Sequence, residues 1–305
     1  MHFLRARERP AEIIAVMALF SALDAALALL SAFFPAATAF LMLVVPLSSA
    51  FIAMTCPLKA LPLFVLSAFG TSLAVSFFDF QTLLFYLLPA LIIGAAYGLF
   101  ERLRVPSIYH LFLEAILAMA LFLLTLLLGK GIYGISFYDL FLQAASPEKQ
   151  AYMSHVFLLF CYSYSLAQTL LTHLFTRLVF SKMKRQEPLD RLKPFWPYLF
   201  ASVSLIGIIG CSFVSAGFAY LFLGFFFYWV LVTCVKEMPT QPKWMLAPEI
   251  ASIFISILIF AAFFSAIPED KGLLLTGVPF AFFLAINAIN GALRVKRARH
   301  KINEP

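Results

Sequence analysis

The sequence predicts an all-α polytopic membrane protein with about ten transmembrane helices, arranged as a six-helix bundle followed by four further helices. Apolar runs of about 20 residues, the length needed to cross a bilayer, recur along the chain. Charged residues make up 12% of the sequence, roughly half of the share usual in soluble domains. The basic residues collect in alternate connections between the apolar runs, as expected for a multi-pass protein.

The first apolar run, Ile13 to Phe33, has no clear cleavage site and is too long for the core of a signal peptide, so we expect a retained helix. The division near Ser215-Ala216-Gly217 separates two helices within one apolar block. The ten predicted helices are 13–33, 37–56, 58–77, 80–100, 108–128, 152–176, 195–213, 217–235, 249–267 and 273–293.

The distribution of lysine and arginine predicts that both termini are cytoplasmic. With this orientation, only Lys130, Lys149 and Lys271 of the 22 basic residues lie outside. The net charge of +7 then reflects topology and attraction to anionic lipid headgroups, and nucleic acid is not an expected partner. We expect the chain to lie in the lipid bilayer of the plasma or inner membrane, of a bacterial cell.

The most polar stretch of the chain divides it into three predicted regions. These are the six-helix bundle (1–176), a basic cytoplasmic linker (177–194) and a four-helix extension with a basic cytoplasmic tail (195–305). No internal repeat relates the two membrane regions, so an inverted-repeat transporter is not supported. The long outer loop 129–151 has two open interpretations, a lid over a cavity or an amphipathic segment at the interface.

The first predicted helix carries two separate features. Ala18, Ala22 and Ala26 belong to an arc of small residues, called here the alanine face, which suits close approach of another helix. At 100° per residue, Asp24 points about 140° away from this face. We therefore expect Asp24 to face its own bundle, in a structural hydrogen bond or in a functional site, and the alanine face to serve internal packing or docking.

Polar residues inside the predicted fifth and sixth helices require partners, because lipid supplies none. His110 and Glu114 share a face near the cytoplasmic end of the fifth helix, where they could relay protons, hold an ion or anchor the helix at the interface. The sixth helix carries a polar stripe, for which cavity lining and interhelical hydrogen bonding remain open. The stripe comprises His155, Tyr162, Ser165, Thr169, Thr172, His173 and Thr176.

Several classes of function lack a sequence signature. The chain has no Walker A, HExxH, CxxC or GxSxG motif, and its aqueous loops are too short for a soluble catalytic domain. The four cysteines have no metal-type spacing and are interpreted as small packing residues. Because Asp24, Glu114 and the histidines of the sixth helix are dispersed in the sequence, we predict no enzyme activity, catalytic residue, metal site or cofactor.

The first six predicted helices resemble a known family in three stretches. These are the alanine face with its AxxxA spacing, the proline-punctuated FLMLVVPLSSAFIAMTCPLKALPLFVLSAFGTSLAV, and LLPALIIGAAYGLFERL, a Pro- and Gly-containing helix ending in a basic turn. Over about residues 10–180 the chain is similar to the substrate-binding S components of energy-coupling factor (ECF) vitamin and metal importers. The whole chain resembles the uncharacterised YybS-type bacterial membrane proteins, although the four helices after Arg177 depart from the S-component pattern.

The resemblance implies a membrane-embedded solute-binding subunit without ATPase activity of its own. In such proteins the alanine face of the first helix meets a membrane coupling protein that two cytoplasmic ATPases drive. A small-molecule solute would bind toward the outer side, beneath the 129–151 loop. Candidate lining residues are Asp24, His155 and Tyr162, with Ser165 and Thr169 of the polar stripe. Two alternatives remain, a non-catalytic assembly subunit of a larger membrane complex and a proton- or ion-coupled secondary transporter.

Overall fold

The described part of the chain consists of helices, most of them joined by short turns. The computed structural model describes residues 7–182, 195–237 and 274–303, with five single positions between 248 and 258. The helices are α1 (Pro10–Phe33), α2 (Thr38–Thr55), α3 (Ala60–Val75), α4 (Phe80–Thr82), α5 (Leu88–Arg102), α6 (Ser107–Tyr133), α7 (Phe137–Gln143), α8 (Gln150–Lys182), α9 (Phe195–Ser212), α10 (Ala216–Glu237) and α11 (Gly277–Asn303).

Six helical stretches of the described chain are long and apolar enough to cross a membrane, which makes this a multi-pass membrane protein. They are Pro10–Phe33, Phe77–Arg102, Ser107–Tyr133, Phe195–Ser212, Ala216–Lys236 and Leu274–Leu293. The apolar helices Phe40–Thr55 and Ala60–Val75 are shorter. The 33-residue α8 is long enough, but its polar residues lower its hydropathy. Apart from four single positions, the predicted helix 249–267 lies outside the described residues.

The described chain packs as two compact units, and α8 contributes to both. The first contains residues 7–136 and 164–182, and the second contains 137–163, 195–237 and 274–303. The predicted regions 1–176 and 195–305 therefore differ from these units, because the segment from α7 to the middle of α8 packs with the later helices.

Within the first unit, α2 packs closely along α5. A Cβ atom added to Gly94 of α5 would collide with the backbone of Pro46 and the hydroxyl of Ser49 in α2. One added to Gly98 would lie 2.6 Å from the Ala53 Cβ. Glycine is required at both positions because the two backbones are almost in contact.

The carboxyl end of α5 is fixed in two ways. The Arg102 guanidinium donates from Nη1 to the Cys56 carbonyl at 2.9 Å, beyond the last turn of α2. Arg104 then adopts φ 55°, while the Val105 amide bonds to the Phe100 carbonyl at 3.0 Å. This is a Schellman ending, and its left-handed residue turns the chain into α6 within a few residues.

The second unit is organised around aromatic packing. The Phe200 ring of α9 stacks on Trp229 of α10, with ring centroids 4.8 Å apart. Asn287 of α11 is buried and donates from Nδ2 to the Thr233 hydroxyl at 3.2 Å, while its carbonyl accepts from Tyr198 at 3.0 Å. One asparagine therefore connects α9, α10 and α11, through its side-chain amide and its backbone carbonyl.

The predicted outer loop 129–151 is largely helical. The α6 helix continues to Tyr133, and α7 follows after a short turn. In α7, the Phe141 ring packs on Phe157 and Phe160 of α8, with centroids 5.3 and 5.0 Å apart. Leu140 is 52% exposed, and Tyr138 is 40% exposed although its ring also contacts Phe157, with centroids 5.0 Å apart. The shape of this short helix, with one packed and one exposed apolar side, agrees with the interpretation of loop 129–151 as an amphipathic segment at the interface.

Candidate functional site

Asp24 lies on the inner side of α1. Its residue is fully buried, and its Oδ2 accepts a hydrogen bond of 2.7 Å from the Ser48 hydroxyl of α2. Its Oδ1 makes no hydrogen bond among the described residues. The carboxyl group thus joins α1 to α2 through one of its two oxygens. This arrangement is compatible with a structural role and with a functional one.

The alanine face lies on the opposite, exposed side of α1. Ala18, Ala22 and Ala26 are all exposed. Ala25, which the helical period also predicts on this arc, is 6% exposed and belongs to the core. The exposed strip is therefore narrower than expected, but it leaves a smooth surface that a helix could approach closely.

The polar stripe of α8 is buried along most of its length. Ser165, Thr169, Thr172 and Thr176 are each at most 3% exposed. The Thr169 hydroxyl donates to the Ser165 carbonyl at 2.7 Å, and the Thr172 hydroxyl donates to the Met42 carbonyl at 3.4 Å. Thr169 thus bonds within α8 and Thr172 bonds to α2, whereas the Thr176 hydroxyl makes no hydrogen bond among the described residues.

The candidate lining residues fall into both units. Asp24, Ser165 and Thr169 belong to the first unit, whereas His155 and Tyr162 belong to the second. Tyr162 is 1% exposed, and its ring packs edge-on against Phe225, with centroids 4.8 Å apart. Their proposed role in solute binding stays a prediction.

A different set of residues is brought together inside the first unit. His110 and Glu114 of α6 meet His173 of α8, and this trio is called here the histidine–carboxylate cluster. His110 Nε2 lies 3.1 Å from Glu114 Oε1, and His173 Nδ1 lies 3.6 Å from Glu114 Oε2. The exposed fractions of the three residues are 0%, 1% and 5%. Two imidazoles and a carboxylate, which are costly to bury, therefore lie next to one another inside the bundle.

Aromatic rings enclose this cluster. The Tyr97 ring of α5 lies 4.6 Å from the His110 ring and 5.3 Å from the His173 ring, measured between centroids. Phe100 closes another side of His110 at 5.2 Å. On the remaining side, the partly exposed Glu101 places its Oε1 3.9 Å from His110 Nδ1. The turn at Arg104 brings this carboxylate to the first turns of α6.

The cluster was only partly visible in the sequence. The spacing of four residues placed His110 and Glu114 on one face of α6, and the stripe included His173. No sequence periodicity connects positions separated by about sixty residues, so their meeting depends on how α6 and α8 pack. The cluster can hold a cation or pass protons between its groups.

Comparisons with protein-family models, curated proteins and solved structures give no match to this chain.

Proposed function

We propose that this protein is a membrane-embedded solute-binding subunit of a transport complex, similar to an ECF S component and without ATPase activity of its own. It docks through the alanine face to a membrane coupling protein, which ATPase subunits drive from the cytoplasm. The solute is a small molecule that reaches the first unit from the outer side of a bacterial inner membrane.

The division of α1 into two faces carries this proposal. Asp24 is turned inward and bonded to Ser48, while Ala18, Ala22 and Ala26 form an exposed strip on the same helix. Bulky apolar side chains would serve contact with lipid equally well. Small residues instead favour close helix–helix approach, and in the membrane such packing is a main source of association energy.

The test is co-purification from native membranes in mild detergent, with the recovered proteins identified by mass spectrometry. Ala22→Leu places a branched side chain on the docking strip, and Ala288→Leu makes the same change at an exposed alanine of α11. We expect the wild type and Ala288→Leu to retain a coupling protein and ATPase subunits. Ala22→Leu should retain about tenfold less, equivalent to a loss of about 1.4 kcal/mol.

Equal recovery with Ala22→Leu, or no ATPase subunit with any variant, contradicts the proposal. Other membrane proteins recovered without ATPase subunits would favour the assembly-subunit alternative. Uptake by the purified chain alone, driven by a pH gradient in proteoliposomes and abolished by Asp24→Asn, would favour the secondary transporter.

A further inference from the structure

We propose that the histidine–carboxylate cluster is a binding site for one divalent transition-metal ion. The ligands are His110 Nε2, a carboxylate oxygen of Glu114 and His173 Nδ1. This inference is independent of the proposed transport function, because it uses neither the alanine face of α1 nor Asp24.

The donor set fits this class of ion. Two imidazoles and one carboxylate form the ligand set of many zinc sites, and the same combination suits other first-row divalent ions. The three ligand atoms all lie within 4.8 Å of one another. Bonds of about 2.0–2.2 Å hold tetrahedral ligands roughly 3.4 Å apart. The separations of 3.1 and 3.6 Å to the Glu114 oxygens bracket that spacing.

The hydrogen bonding within the cluster is incomplete without a cation. Among the described residues, neither nitrogen of His110 makes a hydrogen bond, and the same holds for Glu114 Oε1 and His173 Nδ1. A buried polar atom without a partner is unfavourable, because it has lost its hydrogen bonds to water. Because His110 Nε2 and Glu114 Oε1 are close but not hydrogen bonded, the two groups do not satisfy each other. A cation between the three residues would satisfy an atom of each.

The surroundings supply what a metal site requires beyond its ligands. Glu101 lies behind His110 on the Nδ1 side, where a carboxylate can accept the ring proton and leave Nε2 free to bind metal. The side chain of Glu101 is 12% exposed, so this carboxylate lies nearer the surface than the fully buried His110. Tyr97 and Phe100 keep the imidazoles in place and exclude water.

The predicted orientation places this site away from the solute site. His110 is in the first turns of α6 and His173 in the last third of α8, next to the basic segments predicted to be cytoplasmic. The solute is expected at the outer side. The ion is therefore a cytoplasmic-side ligand that ties α6 to α8.

The test measures metal binding by the full-length protein in detergent, after removal of any affinity tag and treatment with a chelator. Zn²⁺ is titrated in competition with a chromophoric chelator, and Co²⁺ reports coordination through its visible absorption. The variants are Glu114→Gln and His173→Gln. The matched control is His155→Gln, since His155 lies on the same α8 helix but outside the cluster. Circular dichroism checks that each variant is folded.

We expect one Zn²⁺ per chain, bound by the wild type and His155→Gln with equal affinity. Removing a ligand should weaken binding by about 100-fold or more, because even changes to groups behind the ligands cost about 10–100-fold. Zn²⁺ should also raise the melting temperature of the wild type. Glu114→Gln preserves the side-chain shape, so it tests binding if His173→Gln does not fold. Equal affinity in the wild type and the folded cluster variants, or no Co²⁺ absorption band, overturns the proposal.

Discussion

The two units bury different kinds of side chain. The first encloses Asp24, His110 and Glu114, all 1% exposed or less, and holds them with few hydrogen bonds. The largest fully buried side chains of the second include Trp229, Tyr220 and Phe226. In the described part of the second unit, the polar residues that are buried as a whole, other than tyrosine and tryptophan, are serine, threonine and asparagine, with no carboxylate or imidazole among them. The half-buried Lys236 also has its Nζ shielded from solvent.

The first unit thus buries groups that can take part in chemistry, whereas the second is built mainly from packed aromatic side chains. Ionisable groups are costly inside a membrane and are usually kept there for a function. Aromatic side chains instead supply contact area without burying charge. We therefore expect function to depend on the first unit, and we expect the second to tolerate polar changes better than changes of volume. Three substitutions test how packing and hydrogen bonding stabilise the two units, in order of decreasing effect on stability.

Trp229→Ala should cause the largest loss of stability, about 3–5 kcal/mol, because it leaves a cavity against the Phe200 ring. Trp196→Ala is the matched control, since Trp196 is 43% exposed on α9. Unfolding in a mixed-micelle SDS titration gives both values. Similar losses for the two tryptophans would show that the aromatic core of the second unit does not determine its stability.

Gly94→Ala should destabilise the first unit by about 2–3 kcal/mol, because the added methyl group forces α5 away from Pro46 in α2. Gly70→Ala is the control, since nothing lies within 4 Å of a Cβ atom added there. Its effect should be neutral or stabilising by up to about 1 kcal/mol. Thermal unfolding in detergent measures both changes. A loss at Gly70 as large as that at Gly94 would contradict the close α2–α5 packing.

Ser48→Ala should cost about 1–2 kcal/mol, because it leaves a second oxygen of Asp24 buried without a hydrogen bond. The cost should largely disappear in an Asp24→Ala background, where no carboxyl group remains. Ser163→Ala, at an exposed serine of α8, serves as the control. Unfolding free energies of the four members of this double-mutant cycle give the coupling. A coupling near zero would show that the Asp24–Ser48 bond contributes no stability.

The features that follow from a single helix were predictable from the sequence. Asp24 and the alanine face were assigned to opposite sides of α1 from the helical period alone, and the structure buries one and exposes the other. The helical, membrane-spanning class followed from hydropathy. His110 and Glu114 were placed on one face of α6 for the same reason of periodicity.

The features that depend on packing between helices were not predictable. Hydropathy marks α8 as one helix but gives no signal that its two halves pack in different units. The position of His173 beside Glu114 depends on the crossing of α6 and α8, which neither helix encodes by itself. The lengths of α2 and α3 were overestimated because turns at both ends of each helix contain apolar residues.

The bond from Arg102 to α2 has a consequence for the synthesis of the protein. The Cys56 carbonyl lies 46 positions before the arginine that binds it. At about 5–20 residues per second, this partner is synthesised roughly 2–9 s later. During that interval the Cys56 carbonyl lacks its arginine partner, whereas the neighbouring Thr55 carbonyl can already accept from the Arg7 amide, which is synthesised earlier. The arrival of Arg102 therefore sets the earliest time at which this end of the α2–α5 pair can close, whatever the order in which the helices enter the bilayer.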